Sequence, residues 1–142
     1  MNRQEKVEFL KRYIPISNRI NRKIEEKSYW WAKVTKTTPA YSDMPKGGEG
    51  KDKIQTYIEK IEEIEKEIDD SIDELIKVKA EIEAAIESVP NEKFKELLEY
   101  WYIDGKKPWE ISRKMNYDVE GKNIYKMHRK AIDLVKVDTL GH

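Results

Sequence analysis

Apolar residues fall at Ile54, Ile58, Ile61, Ile64, Ile68, Ile72, Leu75, Val78, Ile82, Ile86 and Val89, in steps of three and four that average 3.5. That spacing draws one stripe along one face of a helix, with charged residues filling the other faces. No Gly or Pro interrupts it. Gly47, Gly48 and Gly50 precede the run and Pro90 follows it, so the pattern predicts a helix over about 51–88. The spacing fits a coiled-coil seam and equally a plain amphipathic core helix. In either form so long a stripe needs a partner.

The N-terminal segment offers one. Val7, Leu10 and Ile14 share a face, roughly continued by Ile16, Ile20, Ile24, Trp31 and Val34. Pro15 lacks a backbone donor and clashes with the preceding turn, so it should kink or split this helix. Residues 35–50, rich in Thr, Pro, Gly, Ser and Asp, read as a connector. Residues 1–89 are therefore expected to form a long antiparallel helical hairpin, closed within one chain or between two.

Residues 90–142 read as three short helices. Asn91 can cap a helix over Glu92–Ile103, with Phe94, Leu97, Leu98, Trp101 and Tyr102 on its inner face. Asp104–Lys107 forms the turn after it. Pro108 suits the first turn of a second helix, about 108–115, with Trp109, Ile111 and Met115 as core candidates. A third, about 120–137, presents Ile124, Met127, Ala131, Leu134 and Val135 inward. Two short helices around a polar turn, the second rich in cations, make the pattern of a helix-turn-helix. The fold class is all-α: hairpin first, three-helix domain after it.

Composition modifies this picture in one respect. Hydrophobic residues make up 38% and charged residues 39% of the 142-residue chain, apolar-poor and charge-rich as long solvated helices require. The formal net charge is zero, which at first argues against a nucleic-acid partner. By segment, residues 1–50 carry +5, residues 51–89 carry −7 and residues 90–142 carry +2, with +4 concentrated in 113–130. A neutral total conceals a local basic patch. The basic N-terminal and acidic central segments also suit each other as hairpin partners. Cysteine is absent, which excludes disulfides and thiolate metal sites. No apolar run approaches a membrane span or a signal peptide, so a soluble, cytoplasmic protein is expected.

In the third C-terminal helix, Lys122, Asn123, Lys126, Arg129 and Lys130 lie away from the inward stripe, and positions 122, 126 and 129/130 share one surface. Lys and Arg there suit phosphates, and Asn123 or Lys126 suits base edges in the major groove. Tyr125 is adjacent and suits sugar-phosphate or a thymine methyl. Arg113 and Lys114, at the end of the preceding helix, suit backbone contacts that fix orientation. The plain alternative is a solvated cationic face.

The stretch Leu97-Leu98, Tyr102-Ile103-Asp104-Gly105, Trp109-Glu110-Ile111-Ser112, Met115-Asn116-Tyr117 and Tyr125–Ala131 resembles region 4 of sigma-70-type factors. It is more similar still to the sigma-70-like regulators encoded by phages and prophages of Gram-positive bacteria, among them late-gene activators. The junction Ala85-Ile86-Glu87-Ser88-Val89-Pro90 and the Thr38–Gly50 loop, with Ser42 and Met44-Pro45, extend the resemblance over nearly the whole chain. It implies a DNA-binding transcription regulator whose partners are double-stranded DNA and host RNA polymerase, with the hairpin serving polymerase contact or homodimerisation. The chain departs from the pattern at Val119-Glu120-Gly121, where the spacing is two residues longer and Gly121 disfavours helix. That bears on Asp118 and Glu120 as contacts.

Other chemistry finds less support. Gly50-Lys51-Asp52 lacks the Ser or Thr and the preceding strand of a phosphate-binding loop. His128 has no Cys, second internal His or spaced carboxylate pair around it, so it reads as structural or DNA-proximal. Tyr29-Trp30-Trp31 reads as cover for the end of the hairpin rather than a base-stacking platform. Glu62/Glu63 and Asp69/Asp70 read as a solvated face. No catalytic constellation, metal site or cofactor is expected. The competing function is a protein-interaction module that holds host polymerase or another phage protein without DNA affinity of its own.

Overall fold

The computed structural model describes residues 1–40, 47–116 and 122–137; the side chains of 37–40, 47–51 and Lys122 lie outside that description. All secondary structure in it is helical: α1 (Arg3–Leu10), α2 (Tyr13–Ala40), α3 (Gly47–Glu87), α4 (Glu92–Tyr102), α5 (Pro108–Lys114) and α6 (Lys122–Leu134).

Local chemistry accounts for most of these boundaries. Asn2 and Glu5 form a reciprocal capping box at α1: the Glu5 N–H donates to Asn2 Oδ1 at 2.8 Å and the Asn2 N–H to the Glu5 carboxylate at 3.0 Å. Pro15 splits the N-terminal helix as expected. The break falls at Lys11–Arg12, and the Lys11 carbonyl is the one that a proline at 15 leaves without its helical donor. The Asn91 side chain accepts from the Lys93 and Phe94 N–H groups and starts α4. Pro108 opens α5, and the Glu110 carboxylate accepts from the Lys107 N–H.

The connector expected over 35–50 is shorter. α2 runs on to Ala40 and α3 begins at Gly47, leaving 41–46, with Ser42 and Met44-Pro45, outside the described residues. Threonine costs a helix about 0.7 kcal/mol or less per residue, which a long helix absorbs. Glycines at a helix start matter less than in its interior, because the first N–H groups have no intrahelical acceptor anyway.

The chain divides into two compact units, Ser17–Glu74 and the combination of Met1–Ile16 with Leu75–His142. In the first, Ile20, Val34, Ile61, Ile64 and Ile68 are buried. Arg19 pairs with Glu74 at 2.6 Å, Lys23 with Glu67 at 2.5 Å and Lys27 with Glu65 at 2.9 Å. Trp30 packs on Tyr57, ring centroids 5.7 Å apart. Partner numbers fall along α3 as they rise along α2. Three residues assigned to the inner stripe are instead exposed: Ile24, Trp31 and Ile72. Trp30, not Trp31, makes the contact, because two helices bury only a narrow seam each and positions at its edge stay wet.

In the second unit α6 packs against α1, α4 and α5. Leu10, Leu97, Leu98, Ile111, Ile124, Ala131 and Ile132 are completely buried, and Val78, Ile82, Ile86 and Val89 continue the core from the end of α3. Phe94, Trp101 and Met115 are half-buried. Two expected core residues are exposed, Trp109 at 51% and Leu134 at 39%. Leu134 is the last residue of α6 and has no further turn to cover it. Ile132 lies outside the expected stripe, yet α6 has neighbours on more than one side, so its buried arc is wider than a single stripe. Gly105 has φ +67°, and a Cβ there would stand 3.3 Å from Ile14 Cδ1, so both backbone and space call for glycine. Asn116, at φ 59°, turns the chain left-handed after α5, a conformation asparagine tolerates better than most residues.

Candidate nucleic-acid interface

α6 is sharply two-sided. Ile124, Met127, Ala131, Ile132 and Val135 face the core, and Asn123, Tyr125, Lys126, Arg129 and Lys130 are exposed. These five belong to the predicted interface; Asp133 and Leu134, at the end of α6, are exposed as well. At 3.6 residues per turn, Lys126, Arg129 and Lys130 fall within about 6 Å along the helix axis. Among the described residues no carboxylate lies within ion-pair distance of any of the three. Backbone alone is described for Lys122, which opens α6. Asp118, Glu120 and the lengthened segment Val119–Gly121 lie outside the described residues.

Arg113 and Lys114 are exposed in the last turn of α5, which packs on α6. The Arg113 guanidinium sits over the Trp109 ring, 5.2 Å from its centroid. Trp109 thus acts as a platform for a cation, a role its assignment to the core had missed.

Behind the exposed face an aromatic cluster ties α6 to α4. His128 stacks on Trp101 with centroids 4.0 Å apart, and Tyr125 meets the Trp101 ring edge-on at 6.0 Å. The Tyr102 hydroxyl and His128 Nε2 are 2.6 Å apart. Burial, reinforced by the charge of Lys11, lowers the His128 pKa to about 4, and burial raises that of the Tyr102 phenol. At neutral pH an uncharged ring and a protonated phenol therefore share one hydrogen bond. The cluster assigns His128 to packing and positioning. Its sequence signal was slight: a tyrosine on an inner face needs a partner for its hydroxyl.

The C-terminal end of α6 is held from α1. Arg3 grips the Asp133 carboxylate with two nitrogens, at 2.9 and 2.8 Å, and Lys6 Nζ donates to the Asp133 carbonyl at 3.2 Å. A cation on a terminal carbonyl also suits the negative end of the helix dipole. Arg3 and, through their charges, Lys6 and Arg129 hold the Asp133 carboxyl below its ordinary pKa.

Among the described residues no three His, Asp or Glu side chains cluster as a metal site, and no helix is long and apolar enough to cross a membrane. No curated protein and no solved structure matches this chain. A family model described as "Protein of unknown function (DUF1492)" matches residues 35–136, from the last turns of α2 through the end of α6. The chain belongs to that family, DUF1492.

Proposed function

We propose that the protein is a DNA-binding transcription regulator of phage or prophage origin, acting on late genes. In this reading α5 and α6 form a sigma-region-4-like helix-turn-helix, with α6 as the recognition helix. The observation that carries it is the two-sidedness of α6. Every described residue assigned to DNA is exposed, and none of the cations Lys126, Arg129 and Lys130 is closed into an ion pair among the described residues, although the charge of Arg129 is felt at Asp133 one turn on. A cationic row on a helix whose other face is fully packed is suited to phosphate contacts, with Asn123 and Tyr125 beside it for bases. The opposed ion pairs between α2 and α3 support a hairpin, which in this reading serves polymerase contact or self-association.

A mobility shift on genome-fragment DNA at two salt concentrations tests the proposal. Binding is expected to weaken steeply with salt, and Lys126→Ala with Arg129→Ala to weaken it across sequences. No binding at low salt, or binding indifferent to that double variant, refutes it. The exposed Trp109 favours the second reading, a polymerase-binding module without DNA affinity. Recovery of polymerase from nuclease-treated host lysate, with no DNA shift, would establish that version.

A further inference from the structure

α2 carries a second row of side chains besides those it buries against α3. Ser17, Asn21, Ile24, Ser28, Trp31 and Thr35 follow at steps of four and three, which aligns them along one side of the helix over about 27 Å. Five of them are exposed and Ser17 is half-buried; Ile24 is 47% and Trp31 46% exposed. None of them is charged, in a chain of which 39% is charged. The exposed row of α3 in the same unit is the opposite. Glu59, Glu62, Lys66, Asp69 and Asp73 have the same spacing and all carry charge. α3 thus presents a solvated face, whereas α2 presents a heptad-spaced, uncharged seam to solvent.

Two features fit that seam to a second copy of itself. The first is charge. Arg19, Lys23 and Lys27 would oppose the approach of another cationic helix, but Glu74, Glu67 and Glu65 of the same unit neutralise them. An uncharged row leaves a charged partner without counter-charges and fits an equally uncharged one. The Thr35 hydroxyl already donates to the Trp31 carbonyl at 3.0 Å, so covering it strands no donor. The second feature is size. The row is symmetric about position 26, so two antiparallel copies set Trp31 against Asn21, Ile24 against Ser28 and Thr35 against Ser17. Each larger side chain then meets a smaller one, as interdigitating helices require. A parallel pair would set Trp31 on Trp31 and Ser28 on Ser28. We infer that the α2 row is a homodimer interface, isologous and antiparallel. The inference rests on the self-association reading above and not on DNA binding by α6.

Sedimentation equilibrium of the full chain tests it. Wild type is expected to dimerise at micromolar concentration. Ser28→Glu and Trp31→Glu each put a carboxylate into the seam and should weaken the dimer by about tenfold or more. Glu62→Gln, on the exposed face of α3, should leave it unchanged. All three positions are exposed, so circular dichroism should show the same helix content throughout. The chain has no cysteine, so a mixture of Ile24→Cys and Ser28→Cys chains reports the register. Air oxidation should link the two kinds of chain to each other in preference to Ile24→Cys chains among themselves. A monomer at all concentrations, a dimer indifferent to both glutamate variants, or Ile24→Cys chains linked mainly to one another overturns the inference. A mobility shift by the same chains keeps the DNA reading separately testable: a monomer that still shifts DNA refutes the dimer alone.

Discussion

Two sets of cations on this molecule have similar sequence credentials and opposite circumstances. On α2, Arg19, Lys23 and Lys27 each reach a carboxylate of α3 within 2.9 Å. On α6, Lys126, Arg129 and Lys130 stand exposed with no such partner among the described residues. Both sets lie on amphipathic helices opposite or beside a buried stripe. A charge count treats them alike. What separates them is pairing: the first set is neutralised within its own unit, and the second leaves its positive potential open to an external polyanion. The paired set is also peripheral to stability, because exposed ion pairs gain little over hydrated ions.

The strongest challenge to this contrast is to ask what holds α2 to α3. Ile64→Ala is expected to cost about 2–5 kcal/mol in a denaturant titration, since Ile64 is 1% exposed. The Arg19–Glu74 coupling in a double-mutant cycle should stay below about 1 kcal/mol. The reverse order would make the ion pairs the principal bond of that unit.

Next in size is the effect on DNA. Replacing Lys126, Arg129 and Lys130 together by Ala should lower duplex affinity by about a hundredfold and the salt slope by about 2.7. Arg19→Ala with Lys27→Ala should leave affinity within about twofold, because those charges are already neutralised. Equal losses from the two variants would erase the distinction.

A smaller effect concerns pH. The folded-state pKa of His128, about 4, lies below its ordinary 6.5. Between those values the unfolded chain binds more protons than the folded one. Stability is therefore complete above pH 6.5 and falls as pH drops toward 4. His128→Gln should flatten that part of the profile in urea titrations. A further loss in stronger acid should persist, since Asp133 has a depressed pKa and loses its contribution as it protonates. The least effect is expected from Lys126→Gln on folding, a change within about 0.5 kcal/mol in thermal melts. A larger loss would reveal an intramolecular partner.

Much of this architecture is legible in the residues. The 3.5 spacing marks the α3 face that is buried at Ile61, Ile64, Ile82 and Ile86; Asn91, Pro108 and Pro15 announce two helix starts and one break. These signals are local, and local chemistry decides them. The exposed residues on α6 proposed to meet DNA follow from the same periodicity, as the complement of a buried stripe. Contacts between distant segments are less legible. Nothing in the pattern of Trp109 or Trp31 says that their large rings stay wet, because an amphipathic aromatic fits an edge as well as a core. Ile132 and the Arg3–Asp133 contact depend on α1 packing against α6, and periodicity within either helix is silent about the neighbour. The tyrosine–histidine bond between α4 and α6 is hidden for the same reason.

The attachment of α1 also separates two kinds of boundary. The family match starts at residue 35, whereas the unit that contains α6 includes residues 1–16. A recombinant fragment cut to the matched region would lose Leu10 from the core, free Asp133 and remove the cover that α1 gives α6. Homology would nominate that fragment as a domain, but its solubility and folding would report on a molecule with one wall missing.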